Sequence, residues 1–346
     1  MLWIWSGFIL FVVLLVVFDL GIINRKPHVI GLRDALRLSA LWIALGLSFC
    51  FVIYDGYAHH RLGLGAAADL VDGRLNDGPS AAAKYLAAYV LEKSLSVDNL
   101  FVIAVIFRFL AVPAKFQPRV LLWGILGAMI LRGIMVGVGV ELIHRYHWVL
   151  YLFGGFILVT GVRLLLLRNR PPEPSRDPIL RLARKLLPLT PHYDRGRFLT
   201  RENGRWMLTP LALALLLVET GDAIFAVDSI PAVFGVTADP LLVYTSNIMA
   251  ILGLRSLYFA LAGLIEKFRY LKISLSLILI VVGGKMIARH WIHQMVGEWA
   301  SLYLLGIIAV LLGAGIVGSI LWHPESLAAW RDRKASLPSR QAASGE

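Results

Sequence analysis

The sequence predicts an all-α, polytopic membrane protein of about nine transmembrane helices, with a 3+3 inverted repeat relating helices 3–5 to helices 6–8. Three observations predict this. The chain of 346 residues is 58% hydrophobic and only 16% charged, against about 25% charged residues in soluble domains. Its mean hydropathy is +0.73, and the apolar residues gather into runs close to the ~20 that cross a bilayer as a helix. Its 34 Lys and Arg outnumber 22 Asp and Glu, for a formal charge of +12, and they are sorted by side rather than spread evenly. A soluble domain of this composition could not cover its surface with polar groups. A cytosolic enzyme, a disordered chain and a secreted disulfide scaffold are excluded. The single Cys50 can form neither an internal disulfide nor a Cys-rich metal site.

The runs fall at 2–23, 38–54, 85–107, 120–141, 148–167, 207–235, 242–264, 273–289 and 299–322. The first is too apolar for too long to be a signal peptide. It lacks a basic start and an Ala-x-Ala cleavage site, so it is read as a retained helix. The connection 55–81, rich in Gly and Asp, is the main outer loop, and its Asp69, Asp72 and Asp77 read as solvated rather than cation-binding. Runs three to five make a first repeat, 82–167. The segment 168–206 is a basic cytoplasmic loop with six prolines; within it, 179–187 reads equally as a surface amphipathic helix or as solvated linker. Runs six to eight make the second repeat, 207–290. A polar tail, 323–346, closes the single domain of 1–346.

Basic residues orient these helices. The loops after odd-numbered runs, with the tail, hold 24 of the 34 Lys and Arg, including Arg25, Lys26, Arg33 and Arg37 and ten from Arg168 to Arg205. The opposite side holds five: Arg61, Arg74, Lys84, Arg145 and Arg289. By the positive-inside rule the N-terminus is outside and the C-terminus cytoplasmic. The positive charge is then a matter of topology and inner-leaflet lipid, which makes the bilayer, not nucleic acid, its partner. Trp3, Trp5, Trp148, Trp291, Trp299 and Trp322 near run ends suit an interfacial belt. His144, His147, His290 and His293 read as interfacial for the same reason.

The third and sixth runs carry related motifs. Glu92-Lys-Ser-Leu-Ser-Val-Asp98-Asn99 and Asp222-Ala-Ile-Phe-Ala-Val-Asp228-Ser229 both place an acid, then Val-Asp, then a small polar residue. Arg132 and Arg255 follow in the fourth and seventh runs, Gly161 and Gly284 in the fifth and eighth, and each Arg-to-Gly interval is 29 residues. With odd and even runs pointing opposite ways, the repeats are antiparallel, the plan of many secondary transporters with sites near the bilayer midplane.

Ionisable residues at bilayer depth cost about 2.5–3.5 kcal/mol each on the mildest scale and usually mark function. Glu92, Asp98, Glu219, Asp222 and Asp228 lie within predicted helices, balanced by Lys93, Arg132 and Arg255; two negative charges remain if all ionise, matching one divalent cation. Carboxylate and amide oxygens are hard ligands suited to Mg²⁺, Ca²⁺ or Mn²⁺. Asp98 and Asp228, at matching positions, are expected as central metal ligands. Glu92 and Asp222 are the adjacent acids that ligate or take up protons, and Glu219 breaks the symmetry. Asn99, Ser229, Asn247, Thr220 and Ser246 are candidate neutral oxygens. Residues six apart on a regular helix point about 120° apart. Either the sixth helix is broken around Gly221 and Pro231, or one acid of each pair binds the ion while the other pairs with Arg132 or Arg255. Asp19 is expected to pair with Arg25 or Lys26. No Ser–His, Gly-x-Ser-x-Gly or His-Glu-x-x-His pattern points to an enzyme.

These motifs, with Thr245-Ser246-Asn247-Ile-Met-Ala-Ile-Leu-Gly-Leu-Arg255-Ser-Leu-Tyr-Phe and Phe18-Asp19-Leu-Gly, resemble the TerC/Alx family of bacterial integral membrane proteins over nearly the whole chain. The nine-helix layout is most similar to the Alx branch. The resemblance implies a Mn²⁺ exporter of the inner membrane within the LysE-type transporter group, with the acids at 92, 98, 219, 222 and 228 functional and no organic cofactor. Proton antiport is the simplest energy source for a carboxylate site. The alternative is a membrane scaffold or stress-response protein, linked to tellurium resistance or redox and acting through partner proteins.

Overall fold

The computed structural model describes residues 2–19, 31–166, 188–194, 196–202, 205–261, 271–288, 291 and 300–321. These residues are mostly helical. The helices are α1 (Leu2–Phe18), α2 (Leu32–Ala58), α3 (Gly78–Phe109), α4 (Gln117–Arg145), α5 (Val149–Leu166), α6 (Pro210–Phe234), α7 (Pro240–Ile251), α8 (Leu254–Leu261), α9 (Leu271–Ile287) and α10 (Ala300–Leu321). Five are long and apolar enough to cross a membrane by themselves: α2, α4, α5, α6 and α10. The pair α7–α8 makes a sixth if its two halves, bent by 44°, are one span. At 32 residues α3 is long enough but carries Glu92, Lys93 and Asp98 in mid-length.

Start signals explain where several helices begin. Asp77 caps α3 by accepting from Ser80 N–H at 2.9 Å, with Pro79 in the first turn. Asp239 caps α7 through Leu241 and Leu242 N–H, again with a proline, Pro240, in the first turn. Pro210 opens α6 directly after Thr209. Such caps satisfy amide groups that the helix leaves unbonded.

Two expectations need correction. The sixth helix is not broken: α6 runs through Gly221 and Pro231, although Pro231 has no N–H to donate back to the Val227 carbonyl. The break lies in the seventh run, at Leu252–Gly253. Gly253 has φ +81°, and Trp42 of α2 fills the space a side chain there would need, so only glycine fits. Nor is the chain purely helical. Leu199–Glu202 pairs antiparallel with Arg205–Leu208, an outcome signalled by the Asn-Gly dipeptide between them in the sequence. The expected surface helix at 179–187 lies outside the described residues.

The packing is organised around α3, which contacts α2, α6, α7 and α10, while α4 lies across α6 and α7. The tightest pair is α5 with α9. A Cβ on Gly283 would fall 2.7 Å from Leu158 N, and one on Gly161 would fall 2.9 Å from Ser276 O. Small residues allow this backbone approach, as in membrane helix pairs. The close approach falls on Gly283; its neighbour Gly284, which the sequence pairs with Gly161, faces open space. Outward faces remain apolar, with Val13 and Leu14 on α1, Ile130 and Ile134 on α4, Val159 on α5 and Val310 on α10 all exposed. That much uncovered apolar surface suits lipid, not water.

The connection before α3 is not a solvated loop. Asp69 is buried, and its carboxylate accepts from Lys84 Nζ at 2.9 Å, the Thr237 hydroxyl, Ala238 N–H at 2.9 Å and Val71 N–H at 3.0 Å. Lys84 also reaches Asp72 at 2.7 Å and Asn76 at 2.7 Å. Asn76 and Tyr57 donate to Asp239. Burial opposes charge on Asp69, yet Lys84 and the donors around it hold its carboxyl below the usual carboxylate range. The network ties this loop to the start of α3 and to the α6–α7 connection.

Candidate functional site

At the centre of the bundle Arg132 of α4, only 2% exposed, bonds four side chains from three other helices. Its Nη1 donates to Glu92 Oε1 of α3, to Asn247 Oδ1 of α7 at 3.1 Å and to Ser229 Oγ of α6 at 3.4 Å. Its Nη2 donates to Asp222 Oδ1 of α6 at 3.1 Å. Asn99 of α3 donates to the same Asp222 oxygen at 2.9 Å. Glu92, Asn99, Asp222, Ser229 and Asn247 are all buried.

Helical spacing explains the grouping. Residues seven apart return to the same face within about 20°. Glu92 and Asn99 therefore point one way from α3, and Asp222 and Ser229 point one way from α6. Asp98 and Asp228, expected as the central ligands, are not the acids that meet at Arg132. Glu92 and Asp222 form the central pair, while Asp98 and Asp228, six residues on along regular helices, turn to other neighbours. Asp98 lies near Lys272 of α9, whose ammonium also sits 4.9 Å from the Phe101 ring centre. Asp228 accepts from the Thr160 hydroxyl of α5, with Arg163 nearby.

The other singled-out residues divide in the same way. Arg255 does not mirror Arg132; it pairs with Asp19 at 2.8 Å, while Arg25 and Lys26, the cations expected for Asp19, lie outside the described residues. Among the described residues Lys93 bonds no carboxylate; it donates to Ala250 O at 2.9 Å and Leu252 O at 3.3 Å, carbonyls at the α7–α8 break. Glu219 is half-buried one turn before Asp222, and its carboxyl occupies the space beside Gly127 of α4 where a side chain would otherwise stand. Thr220 and Ser246 donate to their own helices, at Leu216 O and Val243 O.

Among the described residues, three buried oxygens of this cluster have no hydrogen-bond partner: Glu92 Oε2, Asp222 Oδ2 and Asn99 Oδ1. All are acceptors, and each belongs to a group already bonded to Arg132 or to Asp222. A buried unpaired acceptor costs about 1–3 kcal/mol, so the cluster favours something that brings positive charge or protons. Arg132 Nε is an unpaired donor in the same cluster. Among the described residues no group of three or more His, Cys, Asp or Glu side chains could hold a metal; any ion here would rely on two carboxylates supplemented by amide and hydroxyl oxygens.

Residues 77–325 match the family described as integral membrane protein TerC. The chain belongs to the TerC family. A membrane protein of Myxococcus xanthus, STKORF319, is 47% identical over 317 residues, covering 92% of both chains. A protein of Escherichia coli (strain K12) whose name describes a membrane-bound redox modulator, Alx, is 38% identical over 327 residues, covering 94% of both. A membrane protein of Rickettsia felis is 35% identical over 317 residues, covering 92% of this chain and 97% of its own. No solved structure matches the chain. The TerC match includes the whole Arg132 cluster, and with the Alx relatives it makes this a TerC/Alx integral membrane protein.

Proposed function

We propose that this TerC-family protein is a secondary transporter that exports Mn²⁺, and other divalent cations of similar chemistry, across the bacterial inner membrane by exchange with protons. The observation that carries the reading is the set of three unpartnered acceptor oxygens on Glu92, Asp222 and Asn99. Hard oxygen donors suit Mn²⁺, Mg²⁺ or Ca²⁺, and the family resemblance favours Mn²⁺. If Glu92, Asp222 and Glu219 all ionise, these three carboxylates against the Arg132 guanidinium leave two negative charges, the complement of one divalent ion. Lys93 instead donates to the carbonyls of the α7–α8 break.

Nine spans with α3–α5 and α6, α7–α8 and α9 as inverted repeats would carry this site near mid-bilayer, since α3 and α6 contribute matching acids and polar residues seven apart. Interrupted helices of the α7–α8 kind line such sites in other transporters. Moving each positive charge outward against the potential costs about 2.3 kcal/mol per 100 mV. Inward protons taken up by carboxylates as the metal leaves would offset it. The relatives' redox name finds little here: the lone Cys50 thiol donates to Ala82 O at 3.8 Å and has no second thiol to cycle with.

The experiment is ion flux in proteoliposomes holding the purified chain. Mn²⁺ should move and should respond to a pH gradient. Glu92→Gln and Asp222→Asn should each weaken Mn²⁺ binding about tenfold or more, a loss of about 1.4 kcal/mol. A wild type that moves no divalent ion would sink the transporter reading in favour of a scaffold, and an unchanged double variant would sink the site.

A further inference from the structure

Arg132 divides its guanidinium in an unusual way. A guanidinium fork can take both oxygens of one carboxylate at once, yet here it takes one oxygen of Glu92 and one of Asp222 and leaves the other oxygen of each without a partner. It also collects Asn247 and Ser229, so α3, α4, α6 and α7 converge on one fixed cation. We propose that Arg132 is the selectivity-determining residue of this cluster: a tethered cation that occupies the carboxylates before the ion arrives and that the incoming ion must outcompete. This deepens the transporter reading and rests on it.

The argument is one of charge and desolvation. Arginine remains charged under all working conditions, so it competes permanently and not by titration. An ion entering a buried cluster loses most of its hydration, a large cost that only strong attraction offsets. At equal distance a divalent ion gains twice the Coulomb energy of a monovalent one. With Arg132 in place, the reduced negative charge attracts a divalent ion twice as strongly as a monovalent one and keeps the monovalent ion's gain too small to offset its desolvation. Without Arg132 the three carboxylates present more negative charge, the divalent ion binds too tightly to leave, and Na⁺ becomes a competitor. Arg132 also offers each carboxylate a replacement partner at release.

The test is calorimetry of Mn²⁺ binding to detergent-purified full-length protein, with and without Na⁺, alongside vesicle flux. Arg132→Gln should bind Mn²⁺ at least about tenfold tighter, turn over more slowly, and become sensitive to Na⁺ at concentrations that leave wild type unaffected. Arg132→Lys keeps the charge but loses the fork; it should keep discrimination against Na⁺ while binding Mn²⁺ more tightly than wild type. Should Arg132→Gln not fold, Arg132→Lys alone decides, and unchanged affinity there overturns the proposal. If wild type binds Mn²⁺ while folded Arg132→Gln binds it no more tightly and no less selectively, Arg132 is only an ion-pair strut and this inference falls alone. If wild type binds no divalent ion, the transporter reading falls and takes this inference with it.

Discussion

A carboxylate's job in this molecule is decided by what its helix face meets. Asp69 is a structural acid: it is buried, saturated by Lys84, Thr237, Ala238 N–H and Val71 N–H, and its oxygens need nothing more. Asp222 and Glu92 are equally buried, but each keeps one unpartnered oxygen. Removing one partner of a buried ion pair costs about 3–5 kcal/mol, so Asp69→Asn should lower the thermal midpoint in detergent by several degrees. Because the folded carboxyl of Asp69 lies below its ordinary value of 3.8, its contribution is complete above that value. It disappears only as pH falls through the lower folded value. Acidifying wild type from pH 7 to 5 should therefore leave this contribution intact, and the midpoint of Asp69→Asn should lose less than that of wild type on further acidification. Differential scanning fluorimetry from pH 3 to 7 checks both. In the sequence Asp69 looked like any loop aspartate, because nothing in 55–81 says that Lys84 and Thr237 will fold against it.

At the level of elements, the broken helix α7–α8 is the least regular part of the central bundle. Gly253 makes the break, Trp42 packs into it, Lys93 holds carbonyls beside it, and Arg255 on the second half anchors Asp19. Gly253→Ala would force a Cβ into Trp42 at a backbone conformation that costs about 1–3 kcal/mol for ordinary residues. The expected outcome is a folded but destabilised protein, with slower flux and faster amide exchange in 248–256, measured by mass spectrometry. Unchanged exchange there would mean that the break tolerates a side chain. The sequence offers a break of the sixth helix around Gly221 and Pro231 as one of two ways to aim its acids inward. In the structure α6 runs on through Pro231 near its C-terminal end, and the glycine that breaks a helix was the one facing a tryptophan.

For the whole molecule, the apolar belts on α1, α4, α5 and α10 and the sorting of basic residues ask for a bilayer and a direction within it. Reporter fusions after Ser80 and after Ser175 test the direction. Alkaline phosphatase should be active at the first and inactive at the second, and β-galactosidase the reverse; the opposite pattern would overturn the orientation read from the basic residues. The α5–α9 contact, built on Gly154, Gly161 and Gly283, joins one helix from each proposed repeat.

Hydropathy, motif and charge by themselves determined that this is a helical membrane protein of the TerC family with acids and arginines inside its bundle, because lipid solvation tolerates few other patterns. The seven-residue spacing of Glu92 with Asn99 and of Asp222 with Ser229 was also present in the sequence, and it already contained the face they share. Only the tertiary structure decided which arginine meets which acids. Arg132 and Arg255 sit in matching motifs, yet one stands among four helices beside Glu92 and Asp222, and the other reaches out to Asp19, just past the end of α1. The physical reason is that helical period fixes direction along one helix, whereas the partner at the end of that direction is set by how separate helices cross.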